Sequence, residues 1–105
     1  SRKVIMPMKI SELKKDVIGK IRKRFEVKER SGGHVYYELW YDAKKIGETH
    51  HSHGSGGKEI PDDILQKIKR QLNLNNIQQL HDLKNCPMSE DDYLNLLKEN
   101  HVIGD

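Results

Sequence analysis

Leu13, Val17, Ile18 and Ile21 recur at helical spacing behind Ser11 and Glu12, which predicts a first amphipathic helix over residues 11–23 with Ser11 as its N-cap. The period then changes. Phe25, Val27 and Glu29 alternate with Glu26, Lys28 and Arg30, the two-residue repeat of a strand, and Ser31-Gly32-Gly33 supplies turn chemistry at its end. Residues 34–41 read as a second strand. Asp42-Ala43-Lys44 forms a short polar connector, and residues 45–51 alternate in the same way, so the three strands are expected to form an antiparallel meander.

Beyond the glycine-rich segment His53-Gly54-Ser55-Gly56-Gly57, the stretch Ile60-Pro61-Asp62-Asp63 places proline at a first helical position and two acids in the first turn. There the helix dipole favours negative charge. Ile64, Leu65, Ile68 and Leu72 give the second helix its apolar side, while Lys67 and Arg70 share a polar face. A weaker periodic segment follows at Ile77, Leu80 and Leu83. Ser89-Glu90-Asp91-Asp92 then forms a capping-box pattern ahead of Tyr93, Leu94 and Leu97. The order helix, three strands, helix and short C-terminal helices predicts an α+β two-layer domain with its helices on one sheet face. At 105 residues the chain is long enough for one such core. We expect a main unit over residues 1–74 and a helical extension over residues 75–105 packed on it.

Composition narrows the environment. Hydrophobic residues make up 34% and charged residues 33%, and no apolar run approaches the roughly 20 residues of a bilayer span. Residues 1–13 show no signal-peptide pattern, so a cytoplasmic protein without membrane contact is expected. Cys86, the single cysteine, excludes an internal disulfide and any multi-cysteine zinc site, and reads as structural. The net charge of +3 is unevenly spread: residues 1–30 carry +7, residues 31–74 balance, and residues 75–105 carry −4. The basic end suits a polyanion such as RNA, although Lys14, Lys15, Lys20, Lys23 and Arg24 also fit the solvated face of a helix.

The chemistry concentrates at His34, directly behind Gly32 and Gly33, and at His50, His51 and His53 ahead of the glycines. Histidine ordinarily titrates near neutrality and can both take and give a proton. His34 is therefore the expected site residue, with His53 beside it. The histidine cluster lacks the carboxylates or thiolates of an obvious tetrahedral set, so we expect no metal and no cofactor. The glycine loop carries neither a P-loop register nor a dinucleotide fingerprint. It can instead place backbone N–H groups and Lys58 near the start of the second helix, a favourable place for one phosphate. Strand alternation puts Tyr36 and Trp40 on the face opposite Val35, Tyr37, Leu39 and Tyr41, a platform for RNA bases or for a protein partner.

Lys9-Ile10-Ser11-Glu12-Leu13, Ser31-Gly32-Gly33-His34-Val35-Tyr36, His53-Gly54, Lys58-Glu59-Ile60 and residues 63–72 together resemble, in order and spacing, the HicA toxins of toxin–antitoxin pairs. The resemblance covers residues 8–74 and implies a double-stranded-RNA-binding-like domain. It further implies a metal-independent ribonuclease acting on messenger RNA and held silent by a HicB-like antitoxin. The family's essential histidine maps onto His34; Gly33 stands where Ser or Thr is usual, and residues 75–105 extend beyond the short members. In chemical terms His34 would act as general base on a ribose 2′-hydroxyl while Lys58 or His53 supports the phosphoryl oxygens. The residues alone leave open a non-catalytic RNA-binding module using Lys14, Lys15, Lys67, Arg70 and the Tyr36/Trp40 face, and a protein-interaction domain docking through that face.

Overall fold

The computed structural model describes residues 6–85 and 87–104; Cys86, read as structural, lies outside the described residues. Helix α1 occupies residues 10–21, as an α-helical turn Ile10–Glu12, a π-helical stretch Leu13–Ile18 and a final turn Gly19–Ile21. It begins before Ser11 because the helix-end donors find other acceptors. The Glu12 carboxylate accepts from the Lys9 N–H at 2.8 Å, and the Ile10 and Ser11 N–H groups donate to the carbonyls of Lys58 and Gly56 at 2.9 and 3.0 Å. Ser11 is therefore inside the helix rather than its cap. The wide stretch brings residues five apart over one another, so neighbouring Val17 and Ile18 both reach the core with Leu13 and Ile21.

The sheet follows as β1 Glu26–Ser31, β2 Val35–Tyr41 and β3 Lys44–His51, antiparallel in the order β1-β2-β3. Asp42 and Ala43 join β2 to β3 with φ of 54° and 65°, the two left-handed residues of a type I′ hairpin turn. Alanine fits this region poorly because its Cβ crowds the following carbonyl. Ala43→Gly is expected to raise stability by about 0.5–1 kcal/mol in chemical denaturation; an unchanged midpoint would count against strain at this turn.

One irregularity sets everything beyond the turn. Tyr41 and Trp40 pair with Lys44 and Lys45, but Leu39 pairs with Gly47, leaving Ile46 as a bulged residue without a partner. Asn73 holds the bulge by donating from Nδ2 to the Ile46 carbonyl at 3.1 Å. The shift places Tyr36 opposite His50 and Val35 opposite His51.

Helix α2 spans Asp62–Gln71, with Pro61 one position ahead of the first helical residue in extended backbone (φ −60°, ψ 151°). It ends on Asn73, whose φ of 63° turns the chain so that the Leu74 N–H returns to the Lys69 carbonyl at 3.0 Å. Gly47 sits against this end: a Cβ there would stand 2.8 Å from the Gln71 carbonyl oxygen. Backbone cannot swing aside as a side chain can, so Gly47→Ala is expected to destabilise by about 1–3 kcal/mol, read as a lower denaturation midpoint.

Helices α3 Ile77–Lys84 and α4 Glu90–Glu99 complete the chain. Asn76 caps α3 by accepting from the Gln79 N–H. The capping box at α4 forms with Ser89 and Asp92 exchanging bonds of 3.0 and 3.1 Å. The molecule is thus α+β, with a three-stranded antiparallel open sheet and several helices. Tyr37 and Leu39 of the sheet, the apolar stripes of α1 and α2, and Leu80, Leu83, Tyr93 and Leu97 of the C-terminal helices share one buried cluster. Tyr93 is tied in further by donating to the Leu72 carbonyl at 2.7 Å. No helix among the described residues is long and apolar enough to cross a membrane.

Candidate functional site

His34 lies in the three-residue connection between β1 and β2, exposed to solvent. The turn is closed by the Gly32 N–H donating to the His34 carbonyl at 2.9 Å. Neither Gly32 nor Gly33 needs a left-handed backbone, and a Cβ on either would meet nothing within 4 Å. The glycines leave the turn uncrowded, but its conformation does not demand them.

Beyond this turn the open sheet face carries a cross-strand row in register, Arg30 on β1, Tyr36 on β2 and His50 on β3. The Arg30 guanidinium lies 4.1 Å above the Tyr36 ring, within the range of a cation–π contact. His50 stands 5.4 Å from Tyr36 and 5.2 Å from His34, centroid to centroid, so two imidazoles meet at one end of the sheet. They border a cleft of about 380 Å³ whose other walls include Lys58, Glu59 and Ile64, with Lys67 of α2. His34, Lys58 and Lys67 thus come together.

His53 faces elsewhere. A carbonyl oxygen only accepts, so the His53 Nε2, 2.9 Å from the Gly32 carbonyl, carries the proton and donates it. This bond ties the glycine loop to the turn that carries His34. The ring lines a second hollow of about 330 Å³ together with Lys14, Lys15, Gly54 and Gly56. Of the two groups expected to support a phosphoryl oxygen, Lys58 stands in the His34 cleft and His53 does not line it.

Ile10 and His51 border both hollows. His51 is 6% exposed and fully engaged. Its Nδ1 lies 2.9 Å from the Ser52 carbonyl and must donate, which leaves Nε2, 2.9 Å from the Tyr37 hydroxyl, to accept. Burial pushes the Tyr37 phenol up to about 12, so it stays a donor at any ordinary pH. His50, His51 and His53 consequently point to three different places. Among the described residues no group of three His, Cys, Asp or Glu side chains is placed to hold a metal ion.

Other expected residues stand apart from His34. Trp40, six residues further along β2 or roughly 20 Å at strand rise, borders a separate hollow with Arg24, Glu26 and Asp42. Tyr36 and Trp40 share the open face, but Glu38 lies between them and accepts from the Trp40 Nε1 at 3.1 Å. Each ring is covered by a cation, with Lys28 at 4.0 Å over Trp40. Glu48 bonds Lys45 at 2.7 Å and approaches Arg30 at 3.7 Å; the Lys45 hydrogen bond chiefly holds the Glu48 carboxyl below its usual range. The face is therefore mixed in charge, not a bare aromatic platform. Arg70 is exposed on α2 and does not line either histidine hollow.

The glycine loop turns its carbonyls, those of Gly56 and Lys58, toward the start of α1, and the Lys58 N–H is used by Ser55 at 3.1 Å. The expected cradle of loop N–H groups at the start of the second helix is thus not formed by the Lys58 amide. Asp62 and Asp63 occupy that helix's first turn.

His50 is the residue to which the sequence pattern gave no role of its own, and the fold sets its ring beside that of His34. Its partnership with His34 depends on the bulge at Ile46. In a regular two-residue hairpin, continued from Tyr41 and Lys44, Tyr36 would face Thr49 and His50 would point into the core. No family model matches the chain, and no curated protein or solved structure matches it.

Proposed function

We propose that this protein binds RNA and cleaves its backbone without a metal, His34 acting as general base on a ribose 2′-hydroxyl. The observation that carries the reading is the solvent-exposed His34 ring at a cleft where Lys58 and Lys67 can meet a phosphodiester. The α-β-β-β-α order of residues 10–71 is the order expected of the double-stranded-RNA-binding-like domain that the HicA resemblance implies. Lys14 and Lys15 at the second hollow extend the basic surface along a strand bound across this end, with Arg70 a further contact on α2. The setting is cytoplasmic, where messenger RNA is met.

A HicB-like antitoxin is the proposed partner. Glu38 and Glu48 among the cations of the open sheet face oppose RNA phosphates but suit a protein surface of mixed charge, which would cover His34 from β2 and β3.

The test is incubation of end-labelled RNA with the protein in the presence of a chelator. Products ending in 2′,3′-cyclic phosphate and 5′-hydroxyl are expected, with binding that weakens steeply as salt rises. Salt-sensitive binding without cleavage would reassign the chain as a non-catalytic RNA-binding module. Absence of both would leave the protein-interaction reading.

A further inference from the structure

Resting on the ribonuclease reading, we propose that His50 is the second proton-transfer residue of the site, the general acid that protonates the leaving 5′-oxygen. A base alone leaves an alkoxide to depart from phosphorus unprotonated, and that departure is slow; a second titratable group on the opposite side of the phosphate removes the difficulty. The fold places a second imidazole at the same cleft. His50 is half-buried on β3, its ring 5.2 Å from that of His34, and both rings border the cleft that holds Lys58 and Lys67.

The two imidazoles are not equivalent. Glu48 shares the outward row of β3 with His50, whose charge adds a little to the lowering of the Glu48 carboxyl. His34 sits on the exposed turn, where its nearest aromatic neighbours are Tyr36 and His50. Two imidazolium charges at this separation would repel, and the proposed step needs only one proton between the two rings. The other charged groups facing it are Arg30 on β1, stacked over Tyr36, and Lys58, Glu59 and Lys67 across the cleft.

A neutral His34 nitrogen takes the 2′-hydroxyl proton as the O2′–P bond forms, and the P–O5′ bond breaks as imidazolium His50 gives its proton to O5′. The products are a 2′,3′-cyclic phosphate and a 5′-hydroxyl, with His34 now protonated and His50 neutral; exchange with water restores the pair. Lys58 and Lys67 hold the non-bridging oxygens.

The experiment compares two substrates under single-turnover conditions: a short oligoribonucleotide, and a ribonucleoside 3′-(4-nitrophenyl phosphate), whose leaving group departs without a proton. His50→Ala and the size-conserving His50→Gln are expected to slow the oligonucleotide by about 10²–10³-fold. Both variants should lose the alkaline limb of its pH profile while cleaving the aryl ester within a few-fold of wild type. His34→Ala should impair both substrates. Oligonucleotide cleavage by the His50 variants at near wild-type rate, or equal losses on both substrates, would overturn the role of His50 while leaving His34 standing. A wild-type protein that cleaves neither substrate would overturn both readings.

Discussion

Replacing His34 with alanine is expected to lower RNA cleavage by about 10²–10⁴-fold, the range spanned by a positioned general base, with the fold unchanged. The structural half of this expectation follows from where the ring sits. His34 is exposed, and the turn that carries it is closed through backbone, by the Gly32 N–H and the His34 carbonyl. Alanine keeps both groups. Among the described residues the ring's aromatic neighbours are half-buried Tyr36 and His50, whose remaining contacts persist, so the denaturation midpoint should match wild type closely. Binding should also survive, because the proposed phosphate contacts, Lys14, Lys15, Lys58, Lys67 and Arg70, all remain in place. The expected signature is lost cleavage with retained, salt-dependent RNA affinity. Cleavage within a few-fold of wild type would remove His34 from the chemistry altogether, and lost affinity would make it a binding residue instead.

The elements were largely legible because their periods are clean. Leu13, Val17, Ile18 and Ile21 mark a helix whatever its local winding, and the alternation through Tyr41 marks a strand whichever partner it takes. The capping box at Ser89 is likewise a local event, made by Ser89 and Asp92 within one turn. What was not legible depended on contacts distant in sequence. Ser11 is an ordinary cap on local grounds, but the α1 donors bond Gly56 and Lys58, more than forty residues away. The bulge at Ile46 is stabilised by Asn73 and by the missing Cβ of Gly47 against Gln71, neither of which the strand's own residues announce.

That single extra residue redistributes the histidines. Because side chains alternate along a strand, a shift of one exchanges the faces of everything after it. His51 turns inward to Tyr37 and His50 outward to His34, the reverse of what a regular hairpin would give. Neighbouring histidines along the strand therefore point apart, and the imidazole contact with His34 runs across the sheet. Gly47 hints at this in the sequence, since glycine inside a strand often marks a bulge or a close backbone approach.

His81→Leu is expected to stabilise the protein by about 2–4 kcal/mol at pH 5, because each unmade hydrogen bond of a buried polar group costs roughly 1–3 kcal/mol. His81 is 3% exposed on α3, and neither ring nitrogen has a hydrogen-bond partner among the described residues. Burial pushes its imidazole below histidine's ordinary 6.5 and the Lys84 ammonium adds to this, while Asp82 and Glu12 oppose it. The folded protein therefore keeps His81 neutral where the unfolded chain would protonate it. In that window the unfolded state binds more protons, so stability is full above about 6.5 and falls as pH drops below it. Glu12 has its carboxyl lowered, chiefly by the Lys9 N–H, from an ordinary value of 4.5; its own contribution is lost only under more acidic conditions. Denaturation of wild type and His81→Leu between pH 5 and pH 7.5 keeps that effect out. The difference between the two proteins should widen toward pH 5, since leucine neither titrates nor leaves nitrogens unpaired. A difference that stays constant with pH would mean that His81 is no more reluctant to take a proton in the folded protein than in the unfolded chain, and a variant less stable than wild type would mean that its ring is satisfied where it lies.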